Sequence, residues 1–494
     1  MEKLKILFIY PNYAYVGIGP CVGIACLAGA MKNKGFEFDL FDTSFILKVP
    51  ELEDYSSAFK VHASPDGVVP KELDEVIDDF KKDYDLSSYD IVLVSTLTRT
   101  HELGRALINV VKEANPSAFV IVGGIHPTVA PERTIIEEGI DAICIGEGEE
   151  GLVELLERKV SGKPFTDVKG FWFKINGEIH RNELAPNKEM DDLLLPDYSI
   201  FRSDHFYTAF VGKIYKTLTV EISRGCLYKC AYCVNKYLQD LYDGVSDHHR
   251  KHTVEGAVNK LKRLVEIYKP EMLRFVDESF SFMSKPYFKE LAQRYSDEIG
   301  LPFVLQTNAN TLKEESVKNF KKMNCVAISI GVEHGDEKFR FEVLDKRLKD
   351  HHIYEALELL KKYKIRTTAY FLLGFPFETR ENVFSSVRMN KLLIEKYNVA
   401  PSSISCFFPY PGTPLLEVCE KNGFLAKNID TTAGVNLPAL DMPQLSYQEI
   451  LGLKRTFFAY SIMPEKYYPI IKQCEEKSEF ADKILELIME ANKN

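Results

Sequence analysis

Residues 221–233 read EISRGCLYKCAYC and contain three cysteines, Cys226, Cys230 and Cys233, at C-x3-C-x2-C spacing. A β-branched run at 217–222 precedes them, so we expect a tight loop that follows a strand. Thiolates are the ligands that iron–sulfur clusters take. A structural zinc site usually needs four ligands, and no second Cys or His pair is spaced to complete one. The alternative is that the three side chains are small buried apolar residues.

The missing fourth ligand points to the chemistry, because a [4Fe–4S] cluster held by three thiolates leaves one iron open. With Tyr232 ahead of the last cysteine, the motif resembles that of the radical S-adenosylmethionine (radical SAM) superfamily. The resemblance implies that Cys226, Cys230 and Cys233 bind the cluster. It also implies that the open iron chelates the amino and carboxylate groups of SAM, with Tyr232 in the SAM site.

The composition is that of a multidomain enzyme: 494 residues, 45% hydrophobic and 27% charged. The net charge of −10 argues against a nucleic-acid surface, which normally carries a basic excess. No run of about 18 apolar residues is present, so we expect no membrane-spanning helix. Scattered cysteines and no signal-peptide pattern favour a reducing, cytoplasmic setting, and an exposed cluster would need anaerobic conditions.

Residues 1–150 alternate apolar strands with helical segments, which predicts an α/β domain with a doubly wound, Rossmann-like parallel sheet. The predicted strands are 4–10, 36–41, 90–95, 118–122 and 142–145; the predicted helices are 23–34 and 103–113. Ligands of such sheets bind beyond the carboxyl ends of the strands. Small polar residues and glycines lie there, and glycines allow close approach of a large planar ligand.

The segments GGIHPT (123–128) and IGEGE (145–149) resemble the cobalamin-binding domain that precedes the barrel in many radical SAM proteins. The resemblance assigns the following residues to cobalamin: Ser95, Thr96, Gly123, Gly124, His126, Thr128, Gly146 and Glu147. The D-x-H-x-x-G motif, whose histidine ligates cobalt, is absent. We therefore expect the corrinoid to have no protein ligand on its lower face, and we interpret His126 as a loop-shaping residue rather than a ligand.

The rest of the chain is predicted to contain a connector at 151–213, a radical SAM domain at 214–430 and a mainly helical C-terminal segment at 431–494. An Asn176-Gly177 turn predicts a hairpin in the connector. The radical SAM domain has six β/α units, typical of a partial (β/α)6 TIM barrel with its chemistry at the strand C-termini. Its predicted strands are 217–222, 272–277, 302–306, 326–332, 366–373 and 402–407; its predicted helices are 253–268, 285–299, 313–322, 351–363 and 379–397.

Polar residues and glycines at these strand ends resemble the SAM-binding segments of the family. The segment GVEHG (331–335) is similar to the family's G-x-E-S-G motif, which implies that Glu333 binds the ribose hydroxyls. The segment FLLGFPFET (371–379) is similar to the turn that passes the adenine, which assigns Gly374 to SAM. Asp277 and Glu278 end the second strand and are also assigned to SAM, with solvated loop acids as the alternative.

The resemblance implies that a flavodoxin or ferredoxin reduces the cluster, which then cleaves SAM to methionine and a 5′-deoxyadenosyl radical. The leading hypothesis is a class B, cobalamin-dependent methyltransferase that methylates an unactivated carbon of a small-molecule or lipid-like substrate. The first alternative is a radical cyclase or rearrangement enzyme like the anaerobic magnesium-protoporphyrin monomethyl ester cyclase, possibly without cobalamin. The second is a non-catalytic corrinoid or iron–sulfur binding protein. No catalytic side chain is assigned.

Overall fold

The computed structural model describes residues 4–13, 19–48, 70–280 and 283–491. Its strands are β1 (Ile6–Tyr10), β2 (Asp39–Asp42), β3 (Ile91–Ser95), β4 (Phe119–Gly123), β5 (Ala142–Cys144), β6 (Phe171–Ile175), β7 (Glu178–Arg181), β8 (Tyr207–Phe210), β9 (Lys213–Val220), β10 (Ser223–Arg224), β11 (Arg250–Lys251), β12 (Met272–Phe275), β13 (Phe303–Thr307), β14 (Cys325–Glu333), β15 (Arg366–Leu373) and β16 (Ala400–Cys406).

The helices follow the strands in the alternation that the sequence predicts. They are α1 (Val22–Asn33), α2 (Leu73–Asp83), α3 (His101–Ala114), α4 (Ile125–Val129), α5 (Pro131–Ile135), α6 (Glu149–Val160), α7 (Val234–Tyr242), α8 (Val254–Tyr268), α9 (Lys285–Glu298), α10 (Glu314–Lys322), α11 (Glu337–Glu342), α12 (Asp350–Lys362), α13 (Arg380–Tyr397), α14 (Pro414–Asn422), α15 (Tyr447–Ile462), α16 (Tyr468–Gln473) and α17 (Glu479–Ala491).

The first sheet has the strand order β2-β1-β3-β4-β5-β6-β7, and β1 to β5 are parallel. The central strands are buried on both faces, as their continuous apolar sequences require. The strand order reverses between β1 and β3, which places a ligand crevice at the carboxyl ends of these strands. The predicted doubly wound sheet is confirmed.

The β6–β7 hairpin extends this sheet past residue 150 and pairs antiparallel with β5. Its turn residues Asn176 and Gly177 have φ angles of 52° and 85°. Two positive φ angles are what a tight hairpin turn needs, and an Asn-Gly pair adopts them at low cost. The hairpin predicted from this dipeptide is therefore present.

The second sheet has the order β16-β15-β14-β13-β12-β9-β8, with β9 and β12 to β16 parallel and β8 antiparallel at one edge. Within the described chain, β16 and β8 do not pair with each other, so the barrel is open. This arrangement confirms the predicted partial barrel. The short helices α7, α11 and α14 are present in addition to the helices predicted for this domain.

The segment before β9 packs the two sheets together. The buried Tyr198 donates a hydrogen bond to the carbonyl oxygen of Thr219 (2.7 Å), and the backbone N–H of Asp197 donates to the carbonyl oxygen of Ala25 (2.8 Å). One face of the first sheet therefore shares an apolar core with the barrel.

The C-terminal segment is mainly helical, as predicted, and it packs on the barrel. Helix α15 begins at a capping box in which the Ser446 hydroxyl and the Glu449 carboxylate each accept a backbone N–H. Ile450 on α15 reaches Gly374, and Arg380 at the start of α13 pairs with Glu475. Across the described ranges, the helices are too short or too polar to cross a membrane.

Candidate active site

The three cysteines lie in the loop between β10 and α7, and the barrel holds this loop from several sides. The Gln239 side-chain amide donates to the carbonyl oxygens of Cys226 and Tyr228, both at 2.8 Å. The Ala231 N–H donates to the carbonyl oxygen of Leu344 (2.8 Å). The Leu415 N–H, in the segment PYPGTPL (409–415), donates to the carbonyl oxygen of Ala231 (3.2 Å). The closing segment of the barrel thus fixes the cysteine loop.

The three thiols are close enough to influence one another. Burial raises the pKa of the Cys226 thiol to about 11, and the charges of Cys233 and Cys230 act in the same direction. Cys230 is buried, and the other two are partly exposed. Among the described residues, no three Cys, His, Asp or Glu side chains converge as a single metal ion would require. In a cluster each thiolate binds a different iron atom and loses its proton on binding, so three thiols on one loop can serve as its ligands.

Glu333 lies at the end of β14, where the pairing with β15 shifts register between Gly331 and Glu333. Its φ of 68° is unusual for a residue other than glycine and is typical of strained functional positions. The carboxylate lies over Gly331, where a Cβ would meet Glu333 Oε1 at 2.2 Å. The strand end therefore aims this carboxylate towards the cysteine loop.

Lys346 joins Glu333 to the cysteine loop. Its Nζ lies 3.4 Å from Glu333 Oε1 and donates to the Tyr232 hydroxyl at 3.2 Å. Burial alone would lower the pKa of Lys346, but the Glu333 carboxylate and the Cys230 thiol outweigh that effect and raise it. A buried ammonium beside Glu333, Tyr232 and the thiols can accept an anionic group of a ligand.

The turn after β15 is shaped by a buried carboxylate. Gly374 has a φ of 81°, and the backbone N–H groups of Gly374 and Phe375 donate to Glu378 Oε2 at 2.5 and 3.1 Å. His334, which stands where the related motif has serine, lies with Nε2 at 3.2 Å from Glu378 Oε1. Its Nδ1 accepts the Asp336 N–H, so Nε2 carries the proton and faces the carboxylate. The ends of β14 and β15 are thereby connected.

Asp277 and Glu278 contact the cysteine loop. Asp277 Oδ1 accepts from the backbone N–H groups of Ile222 (3.1 Å) and Ser223 (2.6 Å) and from the Ser223 hydroxyl. Burial raises the pKa of Asp277 to about 7. Glu278 Oε2 accepts the Gly225 N–H at 3.1 Å. These contacts position the segment that leads into Cys226.

A cavity of about 390 Å³ lies between the two sheets. The first sheet contributes the loops after β3, β4 and β5, including six of the residues predicted to contact cobalamin: Ser95, Gly123, Gly124, Thr128, Gly146 and Glu147. The barrel contributes residues on either side of the cysteine loop: Glu221, Arg224, Gly225, Leu238, Tyr242, His248 and Glu278. The cavity thus has one wall from each domain.

The glycine-lined wall fits a corrinoid. A Cβ at Gly124 would meet the carbonyl oxygen of Thr96 at 2.6 Å, and one at Gly146 would meet the Tyr242 hydroxyl at 2.0 Å. Both contacts are with the protein, so these glycines allow the turns to pack closely on Thr96 and Tyr242. The cavity lining itself includes Gly123, Gly124, Gly146 and Gly148, which present backbone rather than side chains to a flat ligand. A whole cobalamin is larger than the cavity, so only part of it would be enclosed.

The other two residues predicted to contact cobalamin, Thr96 and His126, are not among the residues that line the cavity. Thr96 is buried, and its hydroxyl lies 3.3 Å from His101 Nδ1. The His126 ring stacks on His101 with centroids 3.9 Å apart, and its Nδ1 lies 3.3 Å from the Thr98 hydroxyl. Burial, reinforced by the charge of His101, lowers the pKa of His126 to about 4.

Ion pairs join the two walls beside the cysteine loop. Arg224 lies 2.9 Å from a carboxylate oxygen of each of Glu147, Glu149 and Glu221. Arg250 also pairs with Glu147, and it lies opposite Arg224 in the β10–β11 ladder. The segment IGEGE is thus bound to the residues that immediately precede the first cysteine.

Sequence reasoning did not select Arg224, Lys346 or His248. Arg224 is part of the segment EISRGCLYKCAYC. Its positive charge next to the cysteines, together with the acidic segment IGEGE, is the signal from which this ion pair could have been predicted. Lys346 and His248 lie in loops without a motif of their own. Only the folded chain brings Lys346 to Glu333 and His248 to the cavity.

Family comparisons agree with this two-domain arrangement. The model of the Radical SAM superfamily matches residues 220–389, and that of the B12 binding domain matches residues 14–156. An uncharacterized methyltransferase of Pyrococcus horikoshii is 27% identical over 339 residues, which are 68% of this chain and 70% of that protein. The anaerobic magnesium-protoporphyrin IX monomethyl ester cyclase of Cereibacter sphaeroides is 26% identical over 438 residues, which are 84% of this chain and 63% of the cyclase. The chain therefore spans less than two thirds of the cyclase.

Two solved structures share the fold over nearly the whole chain. The radical SAM methyltransferase TsrM from Kitasatospora setae, with cobalamin and a [4Fe–4S] cluster bound, has a TM-score of 0.66 at 15% identity, with both chains fully covered. The cobalamin-dependent SAM radical enzyme OxsB, with aqua-cobalamin and SAM bound, has a TM-score of 0.64 at 16% identity and covers 99% of this chain and 71% of its own. The chain therefore carries a B12 binding domain ahead of a radical SAM domain, and it is an enzyme that uses a [4Fe–4S] cluster, SAM and cobalamin.

Proposed function

We propose that this protein is a cobalamin-dependent radical SAM methyltransferase that methylates an unactivated carbon. The observation that carries the proposal is the cavity between the sheets, because its two walls are the glycine-rich turns of the B12 binding domain and the residues flanking the cysteine loop. A corrinoid held there would lie next to a cluster held by Cys226, Cys230 and Cys233. Methyl transfer to a carbon activated at the cluster needs that proximity.

When bound, the cluster with SAM supplies hydrogen abstraction from carbon, and the corrinoid supplies the methyl group. The chain's own residues bind and orient these groups. In this proposal Glu333 accepts the ribose hydroxyls of SAM, Lys346 neutralises its carboxylate, and the Gly374 turn passes its adenine. Tyr232 closes the site from the side of the cluster, and Asp277 and Glu278 act through the loop that they hold.

Cobalamin contacts are proposed for Ser95, Gly123, Gly124, Thr128, Gly146 and Glu147, which line the cavity. Thr96 supports the Gly124 turn, since the His126 N–H donates to its carbonyl oxygen at 3.2 Å. His126 shapes the same loop. No protein ligand to cobalt is proposed.

A cyclase or rearrangement activity is the second candidate. The observation that favours it is the similarity to the Cereibacter sphaeroides cyclase, which extends over 84% of this chain. Both candidates share the fold, the cluster and SAM, so the product decides between them.

The cofactors determine which electron donor and which cellular environment the enzyme needs. We infer a low-potential donor, a flavodoxin or ferredoxin, and a small-molecule or lipid-like substrate in a cytoplasmic, anaerobic environment. The proposed domain boundaries are 1–150 for the cobalamin-binding domain, 151–213 for the connector, 214–430 for the radical SAM domain and 431–494 for the helical segment.

The experiment is anaerobic incubation of the reconstituted protein with reductant, hydroxocobalamin, candidate metabolites and SAM that carries a deuterated methyl group. A product that gains the deuterated methyl group supports methyl transfer. A product altered without that group would favour the cyclase or rearrangement candidate. The matched control is the variant with Cys226, Cys230 and Cys233 replaced by alanine, from which we expect no product.

A further inference from the structure

Asn235 and His248 form a hydrogen-bonded chain that begins at a cysteine of the loop. The Asn235 side-chain N–H donates to Cys233 Sγ at 3.6 Å, and Asn235 Oδ1 lies 3.0 Å from His248 Nε2. Asn235 is buried, and His248 lines the cavity between the sheets. The chain therefore runs from the cysteine loop to the wall of the proposed corrinoid site.

The polarity of this chain is fixed by its chemistry. An amide oxygen can only accept, so His248 Nε2 must carry the proton that it shares with Asn235 Oδ1. In the neutral ring the other nitrogen, Nδ1, then presents a lone pair. Among the residues that the structure describes, none forms a hydrogen bond with Nδ1. Every hydrogen bond in the chain therefore points from His248 towards the sulfur of Cys233.

Helix α7 holds both ends of the hydrogen-bonded chain from Cys233 to His248 in place. It begins directly after Cys233 and ends at Tyr242, roughly 13 Å away at the usual helical rise. The Tyr242 hydroxyl accepts the Glu147 N–H at 3.3 Å, and its ring lies nearly parallel to that of His248, with centroids 6.2 Å apart and planes at 19°. Gly225 leaves room for the histidine, since a Cβ there would meet His248 Cδ2 at 3.0 Å. The geometry of this helix therefore ties the cysteine loop to the B12 binding domain.

We propose that Asn235 and His248 couple occupancy of the corrinoid cavity to the reduction potential of the cluster. This inference rests on the proposed function, because it takes Cys233 as a cluster ligand and the cavity as the corrinoid site. Both side chains are positioning residues that act through Cys233.

The direction of the coupling follows from the polarity of the chain. The corrin ring carries amide side chains, which can donate to His248 Nδ1. A donor at Nδ1 polarises the Nε2–H, which in turn strengthens the donation from Asn235 to the sulfur, since hydrogen bonds in a chain reinforce one another. Hydrogen bonds to cluster sulfurs tune the potential, and they favour the reduced, more negative cluster. A bound corrinoid is therefore expected to make the cluster easier to reduce.

The test is a redox titration of the anaerobically reconstituted protein, with and without hydroxocobalamin, followed by the paramagnetic resonance signal of the reduced cluster. In the wild type we expect the midpoint potential to rise when the corrinoid binds. His248→Phe should lose that rise, and Asn235→Leu should lose it and also start from a lower potential. His249→Phe, a neighbour that is not among the residues lining the cavity, should behave as the wild type.

Corrinoid binding is followed separately by absorbance, which keeps the outcomes distinct. A bound corrinoid that leaves the wild-type potential unchanged would overturn the coupling, as would a rise that persists in Asn235→Leu. If His248→Phe fails to bind the corrinoid, the midpoint potential of Asn235→Leu tests the coupling instead. Asn235 is not among the residues lining the cavity, so this variant should still bind the corrinoid. A wild type that binds no cluster or no corrinoid would instead refute the proposed function.

Discussion

Glu333 is held in a left-handed backbone conformation, beside a buried lysine and at the end of a barrel strand. If its carboxylate accepts the ribose hydroxyls of SAM, Glu333→Ala leaves those groups less well paired, at a cost of about 1–3 kcal/mol. We expect SAM to bind about ten- to a hundredfold more weakly, at about 1.4 kcal/mol per decade, with the cluster intact. Equilibrium dialysis against SAM measures this change.

The matched control is Glu342→Ala, which removes an exposed glutamate of α11 paired only loosely with Lys338 (3.9 Å). It should leave SAM affinity unchanged. Equal affinity of wild type and Glu333→Ala would show that the SAM site lies elsewhere.

Asp277 makes stability depend on pH. Its folded pKa of about 7 lies above the value of about 3.9 expected when unfolded, so the folded state binds the proton more tightly. The free energy of unfolding therefore falls as pH rises from about 4 to about 7, by at most about 4 kcal/mol, and stays level above that range. Asp277→Asn keeps an acceptor oxygen for Ser223 and has no proton to lose.

We expect the two proteins to have similar melting temperatures near pH 4, with Asp277→Asn increasingly the more stable as pH rises to about 7. Thermal unfolding of the cluster-free proteins across this range provides the measurement. Melting temperatures that run parallel across the range would show that Asp277 is ionised throughout.

A short motif is enough to predict a residue's role, as with the cysteines and Glu333, whose roles stay predictions. Roles were not predictable where they depend on a partner distant in sequence. Lys346 acquires its surroundings from β14 and the cysteine loop. Arg224 acquires two of its partners, Glu147 and Glu149, from a distant segment of the sequence. The assignment of Asp277 to SAM stays a prediction; its contacts in the structure are with the backbone N–H groups of Ile222 and Ser223 and with the Ser223 hydroxyl.

At the level of elements, the short β10–β11 ladder connects the barrel to the B12 binding domain. It places Arg224 opposite Arg250, and both reach Glu147 in the B12 binding domain. Arg224→Met would leave the carboxylates of Glu147, Glu149 and Glu221 facing one another with less compensation. Removing one partner of a fully buried ion pair costs about 3–5 kcal/mol, and in this partly buried network we expect a smaller cost that still exceeds the about 0–1 kcal/mol of a surface pair. We therefore expect a clear loss of thermal stability, together with weaker corrinoid binding.

Arg158→Met provides the control, because Arg158 also pairs with two carboxylates, Glu154 and Asp167, but at the surface. Surface pairs contribute about 0–1 kcal/mol, so this variant should melt close to the wild type. Calorimetry that finds the two variants equally stable would show that the Arg224 network does not join the domains.

The long elements were predictable because strands that are buried on both faces have continuous apolar sequences. These apolar runs are shorter than helices, which distinguishes the two. The α/β alternation and both sheets follow from that pattern. The ladder β10–β11 and the helix α11 are too short to carry a periodic pattern, and tertiary contacts fix them: the buried Arg340 on α11, for example, donates to the carbonyl oxygens of His334 and Leu348.

At the scale of the whole molecule, a cavity lies between the two domains, and His126 is not among the residues that line it. We expect cobalt in the bound corrinoid to lack an imidazole ligand from the protein. The paramagnetic resonance spectrum of bound cob(II)alamin should then show no nitrogen hyperfine splitting, and His126→Ala should leave it unchanged. A nitrogen splitting that disappears in His126→Ala would identify His126 as a ligand.

We propose that Cys226, Cys230 and Cys233 hold a cluster that cleaves SAM next to a corrinoid. The most direct measurement is the formation of 5′-deoxyadenosine and S-adenosylhomocysteine by anaerobically reconstituted protein supplied with SAM, reductant and hydroxocobalamin. We expect both nucleosides from the wild type, and neither cluster iron nor 5′-deoxyadenosine from the variant with all three cysteines replaced by alanine. A reducible cluster and 5′-deoxyadenosine in that triple variant would show that these cysteines do not hold the cluster.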